Sequence, residues 1–241
     1  MLSVSATVHS SSSFHPTSQV TFTLRPHNPV PERCKLHLLY KLSPSVFIDP
    51  YELAQRQASY TFVKWGPTEI ERPVHAVENQ DTLALLTVVV PPHDDGAGSF
   101  QFDVDVPLHA RYLAPISKDT TPLVDSGNYR HFPLERPQAF FACPREYDHN
   151  SPTTLPAYIS ASQLAEANMT LSTTQFIQIP YSPNSQVDFI RIPVGRKEDL
   201  PNVQVYTAAI ILSIFIWISV SVVRTASYLR NSSGIDRLKT E

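Results

Sequence analysis

The residues most suggestive of chemistry are Asp103-Val104-Asp105. Two carboxylates at i and i+2 on a strand share one face, and many glycosyltransferases hold a metal or a sugar phosphate with such a pair. A plainer reading covers the same residues. The run 100–106 alternates strictly, so Phe100, Phe102, Val104 and Val106 face a core while Gln101, Asp103 and Asp105 form its wet side. Asp94-Asp95, inside PPHDDGAG, likewise reads as a turn. No P-loop, GxGxxG, GxSxG or HExxH occurs. Nine histidines are scattered without ligand spacing, and two cysteines are too few for a structural zinc site. The expectation is therefore no catalytic residue, no metal and no cofactor.

The elements that would position these side chains are β-strands. Six Gly in 241 residues fall well below the usual ~7% and 22 Pro well above the usual ~5%. Scarce glycine argues against phosphate-cradling α/β loops, and abundant proline argues against long soluble helices. A formal net charge of −3 gives no electrostatic case for nucleic acid. Candidate strands are 20–24, 34–42, 60–64, 82–90, 100–106, 138–142, 171–179 and 186–192. The run TLALLTVVV (82–90) is continuous and β-branched at its end, as a strand buried on both faces would be. Short helical turns are expected at 51–57, just after Pro50, and at 161–167. Short strands separated by turns predict a mainly β fold, an antiparallel β-sandwich-like domain over residues 1–200.

One segment departs from this pattern. VQVYTAAIILSIFIWISVSVV (203–223) carries no charged side chain. As a helix it spans about 31 Å, close to the ~30 Å hydrocarbon core of a bilayer. A single C-terminal transmembrane helix is expected there, followed by a short tail, 224–241. Ala209, Ser213, Trp217 and Ser221 fall every four residues along one face, a candidate packing stripe. Basic residues flank the span almost evenly, so charge does not set its orientation. Residues 1–19 are serine-rich and do not read as a conventional signal peptide. A tail-anchored adaptor facing the cytosol is therefore one expectation from the residues.

Three stretches carry a resemblance: CKLHLLYKLSPSVFIDPYELAQR (34–56), DVPLHARYLAPISKD (105–119) and FIRIPVGRKEDLPNVQVYTAAII (189–211). In content and order they resemble the PIG-X family, whose members are the non-catalytic subunit of glycosylphosphatidylinositol (GPI) mannosyltransferase I. The resemblance implies a β-rich domain in the lumen of the endoplasmic reticulum, anchored in that membrane by the C-terminal helix with a cytosolic tail. It implies as partner a multi-spanning PIG-M-type mannosyltransferase catalytic subunit, which the chain would stabilise as that enzyme adds the first mannose to the GPI precursor. It gives Asp103 and Asp105 no catalytic role.

Site expectations follow from that resemblance. Pro50, Tyr51 and Glu52, with His109, Arg111 and Tyr112, would form one patch contacting the enzyme; a purely local turn, with Asp49 capping the helix that follows, is the alternative. Cys34 and Cys143 could be two buried thiols or a bridge, and the resemblance favours the Cys34–Cys143 disulfide. Asn168-Met169-Thr170 is an N-glycosylation acceptor that a luminal domain would expose at Asn168, whereas Asn231-Ser232-Ser233 would stay bare in the tail.

Overall fold

A computed structural model describes residues 3–24, 33–67, 69–92, 99–117, 128–145, 155–182 and 188–238. Asp94, Asp95 and the side chain of Asn231 lie outside the described residues. The chain divides into two compact units, 1–114 with 121–194, and 115–120 with 195–241.

The first unit is built from antiparallel strands. β3 (Lys35–Leu42), β5 (Tyr60–Trp65), β6 (Thr82–Val88), β10 (Gln138–Pro144) and β11 (Thr174–Gln178) make a sheet ordered β11-β10-β3-β6-β5. Facing it is a sheet ordered β1-β2-β7, from β1 (Ser3–His9), β2 (Thr17–Leu24) and β7 (Phe100–Pro107). The pair β9 (Tyr129–Leu134) and β12 (Asp188–Pro193) lies beside β1 and extends that layer. The expected antiparallel sandwich is what forms.

Alternation explains the packing. Leu36, Leu38, Tyr40 and Leu42 of β3 meet Val20 and Phe22 of β2 and Val104 and Val106 of β7 in the inner core. Each such fully buried side chain contributes about 1.5–3 kcal/mol relative to exposure. The opposite face of the same sheet places Leu39, Leu85 and Phe140 under Ile159, Leu164 and Met169. With Ala84, Leu86 and Val88 in the inner core and Leu85 in the outer one, β6 buries apolar side chains on both of its faces. Two buried phenols pin the layers. Tyr40 Oη is 3.0 Å from Ser18 Oγ, and Tyr60 donates to the Asp105 carbonyl at 3.3 Å. Burial raises both hydroxyls, that of Tyr60 to about 12.

Short helices are set by their caps. Asp49 Oδ1 accepts the Tyr51 N–H at 2.8 Å, Pro50 opens the first turn of α1 (Pro50–Ala54), and Leu53 is buried beneath it. Ser160 and Gln163 form a reciprocal capping box on α2 (Ala161–Glu166), which buries Leu164. Gly66, with φ of 110°, ends β5 where an added Cβ would meet the backbone of Asp81 and Thr82 at 3.0 Å.

In the second unit Ile116 bridges Arg196, and α3 runs from Leu200 to Leu238. It is the one helix among the described residues that is long and apolar enough to cross a membrane. Ser213 and Ser221 donate to the carbonyls of Ala209 and Trp217, each at 2.8 Å, so the hydroxyls on the expected stripe are satisfied within the helix itself.

Candidate functional site

The patch residues arrive from segments far apart in sequence. β4 (Val46–Phe47) pairs antiparallel with β8 (His109–Ala110), which sets Phe47 opposite His109. On the other side of β8, Ala110 N–H donates to the Phe14 carbonyl at 2.8 Å and Leu108 N–H to that of Pro16 at 2.9 Å. The Val74 N–H bonds the Tyr112 carbonyl at 3.1 Å, bringing the 69–74 segment alongside. A cleft of ≈ 310 Å³ opens among these pieces.

His109 is the hub. Its Nε2 lies 2.7 Å from Glu52 Oε2 and its Nδ1 lies 2.9 Å from His15 Nδ1, while the ring stacks on Phe47 at 5.1 Å. Glu52 is held there because α1 starts at Pro50. Glu52 and Phe47 thus meet at His109, Arg111 lies over the same Phe47 ring, and the rings of Tyr112 and Phe14 meet at a tilt with centroids 4.8 Å apart.

Arg111 has a different place from its neighbours. It is 4% exposed, its guanidinium donates to the carbonyls of Arg72 (2.9 Å) and Glu69 (2.6 Å), and it lies over the Phe47 ring at 4.4 Å. Burial lowers its affinity for its proton, and the charge of Glu69 opposes that. It braces the patch from within. Tyr51 and Tyr112, by contrast, are 77% and 69% exposed. Phe14, His15 and Phe47 complete the patch. Only Phe47 carried a hint in the sequence, lying inside the VFIDP run (46–50).

The remaining expected sites sit elsewhere. Asp103 accepts from Thr21 Oγ1 at 2.6 Å across β2–β7, as a solvated cross-strand pair does. Among the described residues no three His, Cys, Asp or Glu side chains are grouped to hold a metal. Cys34 and Cys143 are disulfide-bonded, S–S 2.03 Å, because the β3–β10 register continued by one position sets them opposite each other. Asn168 is exposed at the C-terminus of α2 with φ of 58°, a left-handed position that asparagine tolerates.

The sequence model of the family described as PIG-X / PBN1 matches residues 11–223, running through both sheets and into the apolar helix. The chain belongs to the PIG-X / PBN1 family. Relatives of this PIG-X / PBN1 chain include "Protein pbn1" of Aspergillus oryzae, 26% identical over 77% of the chain and 34% of the relative. "Protein pbn1" of Schizosaccharomyces pombe is 28% identical over 50% of the chain and 35% of the relative. That of Neurospora crassa is 26% identical over 47% and 21%. The chain thus spans about a third or less of the length of these relatives. No solved structure matches it.

Proposed function

We propose that this chain is a non-catalytic subunit of GPI mannosyltransferase I, stabilising the multi-spanning PIG-M-type enzyme that adds the first mannose to the GPI precursor. The observation that carries the reading is the unbroken family match over residues 11–223, β domain and span together. The patch supports it. Glu52 and His109 bond one another, and both terminal nitrogens of Arg111 bond backbone carbonyls, an arrangement suited to a rigid surface rather than to a reactive centre.

In this reading Tyr51 and Tyr112 contact the enzyme's luminal loops, while Glu52, His109 and Arg111 hold them in place. The domain is luminal and the helix anchors it in the endoplasmic reticulum membrane. The disulfide supports that side of the membrane over a cytosol-facing adaptor, because reducing compartments keep thiols open. Co-purification from solubilised membranes tests the assignment: a multi-spanning mannosyltransferase recovered with the chain supports it, and cytosolic proteins in its place refute it.

A further inference from the structure

The outer face of the five-stranded sheet is only partly roofed. Ile159, Leu164 and Met169 cover Leu39, Leu85 and Phe140. The row Thr61, Thr87, His37, in register across β5, β6 and β3, instead opens into a cleft of ≈ 470 Å³. Arg33 and Lys35 line the same cleft, so one short segment delivers two fixed cations and an imidazole to a hydroxyl-bearing wall. Among the described residues the cleft is lined by one carboxylate, Glu166, and it already accepts a hydrogen bond from Trp65 Nε1 at 2.5 Å. Among those described residues the balance is cationic.

His37 supplies an independent observation. Its side chain is 3% exposed and stacks on Phe140, and Nδ1 lies 3.2 Å from Thr87 Oγ1. Nε2 is buried without a hydrogen-bond partner. A buried ring nitrogen left unpaired is costly and calls for an explanation such as an absent ligand. Arg33 and Lys35 flank Cys34, whose bridge to Cys143 ties their segment to β10.

We propose that this cleft binds a phosphate-bearing ligand, with Arg33 and Lys35 neutralising its charge, the threonine hydroxyls donating to its oxygens, and His37 Nε2–H donating from the wall. A phosphate oxygen at Nε2 selects the tautomer protonated there, and the Thr87 hydroxyl then donates to Nδ1. A free phosphate ester and a phospholipid headgroup share this chemistry. The site is separate from the patch and stands whether or not the subunit role holds.

The test titrates the full chain, purified in detergent, with inorganic phosphate and with phosphoethanolamine against chloride at matched ionic strength. Both the native chain and Asn168→Gln are used, so that a glycan at the rim does not block entry. Calorimetry should show saturable binding that weakens about tenfold in Lys35→Gln and in Arg33→Gln, the loss of one charge-assisted hydrogen bond each. Both side chains are exposed, so these variants keep the fold. Nitrogen shifts of the His37 ring should move to the Nε2–H pattern on binding. Binding of the soluble probes assigns a free phosphate ester, whereas a ring response confined to nanodiscs containing phosphatidylinositol assigns a lipid headgroup. Equal binding by native chain and both variants, or no response to any probe in either form, overturns the proposal.

Discussion

His37 should make the domain acid-sensitive in a way that one substitution removes. Burial, with the charge of Lys35 adding to it, lowers the imidazole from its ordinary 6.5 to about 4. The unfolded chain therefore binds a proton between those values while the folded chain does not, and stability falls as pH falls through that window. At about 1.4 kcal/mol per unit, the full window is worth about 3 kcal/mol, and most of it is lost by about pH 4.5. Carboxylates titrate nearby, so the informative quantity is the difference from His37→Phe. That ring keeps the stack on Phe140 and does not titrate. Denaturant midpoints of the full chain in micelles, in phosphate-free buffer, give the comparison. Near pH 7.5 the two should differ by about 1 kcal/mol or less, the worth of the Thr87 hydrogen bond. Near pH 4.5 the phenylalanine variant should be the more stable by about 2 kcal/mol. Parallel pH profiles for the two proteins would refute the reasoning.

Three further outcomes follow from the same geometry. Replacing Cys34 and Cys143 together by Ser opens a loop of 109 residues, which should cost up to about 4.7 kcal/mol of unfolding free energy in non-reducing denaturation. Arg111→Ala should cost about 2–4 kcal/mol by the same measurement, since it removes two charged-donor hydrogen bonds from inside the patch; Tyr51→Ala should cost under about 0.5 kcal/mol. In membranes, endoglycosidase should shift the native chain on a gel and leave Asn168→Gln unmoved, and an unshifted native chain would contradict the luminal placement.

Much of the β framework was legible because half-buried strands write their own alternation. Phe100–Val106 is the example, while the largely apolar runs at Lys35–Leu42 and Thr82–Val88 marked strands with apolar side chains buried on both faces. Caps were readable too, since Asp49-Pro50 starts α1 where a proline-led turn should. β1 was missed because SVSATVH buries only small or short side chains, Val4 and Ala6. β9 was missed because Pro133 breaks the pattern, which a strand paired, among the described residues, with β12 alone tolerates. β4 and β8 are two residues each and have no period to read. The burial of Arg111 was not legible. What buries it are the carbonyls of Glu69 and Arg72, and backbone acceptors leave no mark in a sequence.

The central claim is that the chain keeps a mannosyltransferase intact through an exposed tyrosine surface. The direct measurement is the amount of that enzyme in membranes of cells lacking the chain, re-supplied with the native form, with Tyr51→Ala plus Tyr112→Ala, or with nothing. The account predicts that enzyme falls without the chain, returns with the native form, and stays low with the double variant although that variant is folded and disulfide-bonded. Enzyme levels equal in all three would contradict it.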